Sequence, residues 1–176
     1  MKYMALDIRT FGDPVLKTRA ASVECFDGSL AHLAEEMLAT MREHEGVGLA
    51  ANQVGRLKRV LVAALEDEEY VIVNPVVEEA VETTDKELEG CLSIPGIQVE
   101  VERPTGITVS AQDTSGTPLR IEASGLLARI LQHEIDHLDG VLILDRTDRE
   151  SRKVAMREWR ERLVAGKELT APADRL

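Results

Sequence analysis

The most informative stretch of this chain is GLLARILQHEIDHL, Gly125–Leu138. Its apolar residues predict a largely buried helix from about residue 126 to 138, and Asp139-Gly140 is a pair typical of a helix end. Within it, the run from His133 to His137 fits the pattern H-E-x-x-H. Two histidines four residues apart lie on one helix face, so both imidazoles can reach a single metal ion. Because a buried Glu134 is costly unless it is paired or near a metal, the pattern favours a metal site.

The third metal ligand is not decided by the helix. Catalytic metals usually have three protein ligands and one open position for water. The longer pattern H-E-x-x-H-x-x-G-x-x-H holds through Gly140 but fails at Ile143, where histidine is required. Upstream, Cys91 offers a thiolate, which is a strong ligand for divalent transition metals. Downstream carboxylates lie in a charged segment, at Glu150, Glu158 and Glu161. A zincin-type metallopeptidase therefore remains open at this point.

The elements around this helix predict an α+β fold, with antiparallel strands packed around a central metal-binding helix and further helices at the N- and C-terminal ends. The flanking helices are expected at 29–44 and 149–165, the second with Met156, Trp159 and Leu163 on one face, and residues 1–28 are expected to be an irregular arm. Turn residues at 103–106 and 113–116 favour hairpins. Strands rich in valine and isoleucine are expected at 59–65, 70–77, 97–103, 107–113 and 119–123.

Composition limits the class of protein. A length of 176 residues favours one domain, predicted over residues 1–168, with a flexible tail at 169–176. The net charge of −11 argues against DNA or general nucleic-acid binding. No segment is apolar enough to predict a signal peptide or a membrane span. Two cysteines make no disulfide framework, which favours the cytoplasm, and Cys25 is expected to be a small buried residue.

Charge is nevertheless uneven along the chain. The segment from Arg146 to Lys167 contains eight basic and four acidic residues. A solvated helix face explains such a mixed run, and a contact with an RNA-rich partner is the alternative.

Three motifs in order give this chain a resemblance to the peptide deformylase family. Residues 46–53, GVGLAANQ, look like the family's G-φ-G-L-A-A-x-Q, and residues 89–93, EGCLS, match its second motif. The H-E-x-D-H of residues 133–137 is the third. The resemblance covers about residues 5–165 and implies a deformylase fold and activity.

What the resemblance implies can be stated residue by residue. It implies that Cys91, His133 and His137 bind the metal, and that a metal-bound water attacks the formyl carbon of an N-formylmethionyl peptide, with Glu134 as the general base. The side-chain amide of Gln53 and the backbone N–H of Leu92 would stabilise the oxyanion. Formate and a free N-terminal methionine would be the products.

Further residues follow from the same resemblance. A charge network of Glu89, Arg103 and Asp136 is expected to orient the ligands from behind the metal. The methionine pocket is expected to be formed by Val47, Gly48, Leu126 and Ile130. Arg129 departs from some relatives, which have an aliphatic residue there, and its stem could line the pocket.

The resemblance also bears on metal and partner. It implies Fe²⁺ in the cell, although Zn²⁺, Co²⁺ or Ni²⁺ would fit the ligand types. The ribosome is the implied partner, reached through the basic C-terminal helix. Two alternatives remain. One is a zincin-type metallopeptidase, and Ile143 speaks against its commonest form. The other is a non-catalytic, ribosome-associated relative, and the presence of Glu134, Gln53 and all three ligands speaks against it.

Overall fold

The computed structural model describes residues 3–166. The chain forms seven strands, four α-helices and two short 3₁₀ turns within this range. The turns are Pro14–Lys17 and Ala51–Val54; the helices are α1 Gly28–Glu43, α2 Gly125–Leu138, α3 Ile143–Arg146 and α4 Arg149–Val164; the strands are β1 Gly48–Ala50, β2 Val60–Leu65, β3 Glu68–Ala80, β4 Thr84–Glu89, β5 Val99–Pro104, β6 Gly106–Gln112 and β7 Pro118–Ser124.

Five strands form one antiparallel sheet in the order β1-β2-β3-β6-β7. Successive side chains of β2 point to opposite faces of the sheet, as the period of a strand requires. Val60 and Val62 contact the apolar residues of α1, whereas Leu61 and Ala63 contact those of α2. The sheet therefore lies between two helices, and α2 is enclosed by the fold.

Strands β4 and β5 form a separate two-stranded antiparallel sheet. The inner side chains of β5, Val99 and Val101, pack with α3 and with Trp159 of α4 in a third apolar cluster. Half-buried Cys91 borders this cluster, in the loop between β4 and β5. The small sheet and α4 thus hold the loop that carries the cysteine.

The predicted α+β class is confirmed, and the three predicted helices and five predicted strands are present. The hairpin predicted at 113–116 joins β6 to β7, but the one predicted at 103–106 is wrong. There the chain leaves the small sheet after β5 and enters the large sheet at β6. Two strands were missed, because β4 has a charged sequence, TDKELE, and β1 has only three residues.

Other local expectations are corrected. Cys25 is exposed and donates to Asp27 Oδ2 at 3.4 Å, since it lies beside the polar start of α1. Leu163 remains 50% exposed, whereas Trp159 and half-buried Met156 pack on the fold as predicted, together with Ala155. The arm predicted at 1–28 contains the first 3₁₀ turn.

Among residues 3–166, no helix has the length and apolar character needed to cross a membrane. The tail predicted at 169–176, and the domain boundary predicted at 168, lie outside the described residues.

Candidate metal centre

Two histidines of α2 present their ring nitrogens to the same point. His133 and His137 are one helical turn apart, and their Nε2 atoms lie 3.2 Å from each other. Both side chains are almost fully buried. The helix therefore brings the two nitrogens close enough to bind one ion, as the spacing predicts.

Cys91 completes the donor set from the loop that follows β4. Its Sγ lies 3.2 Å from Nε2 of His137, and the donor atoms of Cys91, His133 and His137 all lie within 4.8 Å of one another. Burial, together with the neighbouring His133, holds the pKa of His137 well below its ordinary value, which favours the neutral imidazole that binds metals. One thiol and two imidazoles suit a divalent transition metal, so the residues present fit such an ion.

Glu134 lies beside these ligands with an unusual lack of partners. Its side chain is buried, and its Oε2 has no hydrogen-bond partner among the described residues. The carboxylate packs against Gly48 of β1 so closely that a Cβ at position 48 would overlap it. Burial raises the pKa of Glu134 to about 7. A carboxyl group with this pKa, unpaired beside a metal site, can accept and release a proton near neutral pH.

Gln53 turns its amide towards the cysteine. Its Oε1 accepts from the backbone N–H of Ala50 at 2.8 Å, which fixes the orientation of the side chain. Its Nε2 then lies 3.6 Å from Sγ of Cys91 and 3.2 Å from Oγ of Ser93. An amide donor and the backbone of Leu92, the residue after Cys91, are therefore next to the donor set.

The predicted charge network is present behind the histidines. Arg103 donates to both oxygens of Glu89, at 2.6 and 2.9 Å, and to Oδ2 of Asp136 at 2.8 Å. Oε2 of Glu89 also contacts Nδ1 of His133, at 3.0 Å. Burial opposes ionisation, but the hydrogen bonds from Arg103 and His133 hold the pKa of Glu89 far below its ordinary value.

Two further arginines belong to this network and were missed. Arg129 donates to Oε1 of Glu89 at 2.8 Å, and Arg146 donates to Asp136 at 2.5 and 3.0 Å. Arg129 does not place its charged end in an apolar pocket; its guanidinium is buried against carboxylates. The available signal was an arginine inside the apolar run 125–131, because a buried guanidinium requires partners.

The predicted pocket residues are distributed over two environments. Val47 packs against the apolar cluster that contains fully buried Ile130, and Gly48 is buried beside Glu134. Leu126, in contrast, is 42% exposed at the start of α2. The methionine pocket stays a prediction.

A cysteine and two histidines beside an unpaired buried carboxylate define a metal-dependent hydrolase. Comparison with known proteins points to one family. The family model described as polypeptide deformylase matches residues 5–153. A peptide deformylase of Dictyoglomus thermophilum is 49% identical over 152 residues, which cover 85% of this chain and 97% of that protein. Peptide deformylase 1 of Corynebacterium efficiens is 51% identical over 157 residues, covering 85% and 91% of the two chains.

Solved structures agree with the sequence relatives. The crystal structure of a peptide deformylase from Synechococcus elongatus, in complex with actinonin, is 43% identical with a TM-score of 0.84, covering 89% of this chain and 88% of that one. The peptide deformylase from Thermus thermophilus is 43% identical with a TM-score of 0.86, covering 92% and 97%. The chain belongs to the polypeptide deformylase family, and it is therefore an enzyme of the metal-dependent hydrolase class.

Proposed function

We propose that this chain removes the formyl group from N-formylmethionyl peptides and releases formate and a free N-terminal methionine. The observation that carries the proposal is the donor set of half-buried Cys91 and buried His133 and His137, with unpaired Glu134 beside it. Family membership supports a deformylase over a zincin-type metallopeptidase, and the complete donor set supports an active enzyme over a non-catalytic relative.

Cys91, His133 and His137 would hold the metal, for which we propose Fe²⁺. The same ligands would accept Zn²⁺, Co²⁺ or Ni²⁺, because thiolate and imidazole suit all four ions. When bound, the ion lowers the pKa of a water molecule and polarises the formyl carbonyl. Its identity is testable by metal analysis of protein purified without oxygen.

Glu134 would move the proton. Its unpaired Oε2 is free to accept a proton from the attacking water, and a pKa of about 7 allows the same group to return that proton to the leaving amine. Gly48 supports this role, because any side chain there would displace the carboxylate. Glu134 thus acts as general base and then as general acid.

Gln53 and Leu92 would stabilise the negative charge that develops on the carbonyl oxygen. The amide of Gln53 is held by Ala50 and directed towards Cys91, and the N–H of Leu92 is adjacent in the chain. Donors fixed before the reaction stabilise an oxyanion without having to reorganise. Val47, Gly48, Leu126 and Ile130 would form the apolar pocket for the methionine side chain.

Formate release tests the proposal directly. Protein purified without oxygen and loaded with Fe²⁺ is incubated with formyl-Met-Ala-Ser, and formate is measured. We expect rapid release, and a loss of about 10²- to 10⁴-fold in Glu134→Gln, the range typical of general acid–base catalysis. The matched variant Glu122→Gln changes an exposed carboxylate of β7 and should keep full activity.

The alternatives give different results in the same assay. Cleavage of Met-Ala-Ser without a formyl group would indicate a peptidase. Metal-loaded, folded protein that releases no formate would contradict the deformylase proposal.

The ribosome is the partner we propose, with the cytoplasm as the compartment. Helix α4 buries Ala155 and Trp159, and it exposes Arg152, Arg157 and Arg160 to solvent. Exposed arginines on one helix suit the phosphates of RNA. Reversing these three charges should reduce co-sedimentation with ribosomes at low salt, whereas reversing Arg19, Arg56 and Arg120, exposed elsewhere, should not. Unaltered sedimentation of the α4 variant would refute this contact.

A further inference from the structure

Arg129 is a buried charge that the three family motifs do not include. It lies in α2, four residues before His133, so the two side chains share a helix face. Only 5% of the residue is exposed. A guanidinium in this position must be paired, because an isolated charge in the interior is strongly disfavoured.

Its guanidinium joins α2 to both strands of the small sheet. Nη1 donates to Oε1 of Glu89 at 2.8 Å and to the backbone oxygen of Val101 at 2.9 Å. Nη2 donates to the backbone oxygen and the carboxylate of Asp85. One side chain thus contacts Asp85 and Glu89 of β4 and Val101 of β5, a set that requires the planar fork of arginine.

The Glu89 carboxylate connects Arg129 to a metal ligand. Its Oε1 accepts from Arg129, and its Oε2 contacts Nδ1 of His133 at 3.0 Å. Arg103 donates to both oxygens, so Glu89 is held on every side and is fully buried. Any rotation of this carboxylate would move the hydrogen-bond partner of the His133 ring.

Arg129 is one of three cations in a charge network that is balanced overall. Three carboxylates, those of Asp85, Glu89 and Asp136, face three guanidinium groups, those of Arg103, Arg129 and Arg146. Arg103 is shared between Glu89 and Asp136, and Arg129 is shared between Glu89 and Asp85, so Glu89 is paired with two guanidinium groups.

We propose that Arg129 is a positioning residue for the metal ligand His133. By holding Oε1, it directs Oε2 of Glu89 at Nδ1, which keeps the proton on that nitrogen and leaves Nε2 of His133 for the metal. Hydrogen-bond partners of this kind typically change metal affinity by about 10- to 100-fold when they are removed. The inference rests on the metal site of the proposed function and does not depend on the substrate.

Metal release provides the test. The protein is loaded with Zn²⁺ or Co²⁺, excess chelator is added, and the release rate is followed; the Co²⁺ form also reports the Cys91 thiolate in its absorption spectrum. We expect Arg129→Met to release the metal about 10- to 100-fold faster than the wild type. Activity is not needed for this measurement.

Arg59 supplies a matched control. It is also a buried arginine, 9% exposed, and it donates to Asp139 and to the backbone oxygen of Pro75, without contacting Glu89. Arg59→Met should lower thermal stability as Arg129→Met does, but it should release metal at the wild-type rate. Equal acceleration in both variants, or none in Arg129→Met, would overturn the inference.

Two milder variants keep the test decisive. Arg129→Lys retains the charge but cannot contact all three partners, so it should release metal at a rate between those of the wild type and Arg129→Met. If Arg129→Met does not fold, Arg129→Lys takes its place, and its release rate is compared with that of Arg59→Met in the same way. Asp85→Asn removes only the outer, half-exposed partner and should have the smallest effect. Wild-type protein that binds neither metal would refute the proposed metal site, whereas tight binding with unchanged release in Arg129→Lys would refute only the role of Arg129.

Discussion

The two faces of α2 are held by different forces. One face is apolar: Ala128, Leu131, Ile135 and Leu138 recur at helical spacing and pack on the five-stranded sheet. The other face carries charge and polarity: Arg129, Gln132 and Asp136 all bond to β4 or β5 of the small sheet. Hydrophobic burial attaches the helix to one sheet, and ion pairs attach it to the other.

The comparison separates stability from function. Apolar contacts are non-directional and favour burial with little demand on orientation. Ion pairs and hydrogen bonds have defined geometry, so they can fix the rotation of a ring such as His133. We infer that the apolar face mainly determines whether α2 is folded, and the polar face mainly determines whether its ligands are oriented.

The largest expected effect is that of Arg103→Ala on the polar face. It would leave Glu89 and Asp136 without their shared cation in the interior, and breaking a buried ion pair typically costs about 3–5 kcal/mol of the free energy of unfolding. We also expect metal to be lost during purification, because Arg103 no longer fixes Glu89, the hydrogen-bond partner of His133. Metal content is measured together with urea unfolding; normal metal content in this variant would contradict the assigned role of the polar face.

A somewhat smaller effect is expected for Leu131→Ala on the apolar face. Leu131 is fully buried, and truncation of such a leucine costs about 2–5 kcal/mol of the free energy of unfolding. In the folded fraction, the rate of metal release should match that of the wild type. Faster release from this variant than from Arg103→Ala would invalidate the division between the two faces.

The smallest effect lies away from both faces, at the N-cap of α1. Hydrogen bonds from Ser29 and Leu30 lower the pKa of Asp27 from 3.8 to about 2. Since the folded-state pKa is depressed, the stabilisation is complete above pH 3.8 and is lost as the pH falls towards 2. The stability difference between wild type and Asp27→Ala should therefore shrink over this range. Asp27→Asn is the control, because it keeps a capping side chain that does not titrate. If the stability difference between wild type and Asp27→Ala did not change with pH, ionisation of Asp27 would be excluded as its cause.

Much of the fold was predictable because local patterns carry it. The helical spacing of Leu30, Leu33, Met37 and Met41 predicted α1, and all four are buried. Hydrophobic strands were predicted for the same reason, since alternation or apolar runs reflect burial directly. Strand β4 was missed because its residues are almost all exposed and charged, which leaves no apolar pattern to detect.

The candidate site also has a part that the sequence predicted and a part that it did not. The metal donors were predicted by residue type, spacing and family motif, and the structure brings all three together. Arg129 was assigned a place beside the pocket, because a helical arginine on an apolar stretch is ordinarily expected to extend its stem along a surface. Its actual partners belong to a different sheet, which no pattern within α2 indicates.

Helices α1, α2 and α4, the identities of the metal donors and the family all follow from the sequence, because each depends on residues close together in the chain or on short motifs. Helix α3 was not predicted, since its four residues are too few to show a helical pattern. Which charges meet depends on the tertiary structure. Glu89 and Arg129 are 40 residues apart, and Cys91 and His137 are 46 apart. Ion pairs have no periodic signature, and the same arginine can pair with any carboxylate within reach. The folding of the small sheet against α2 selects the partner.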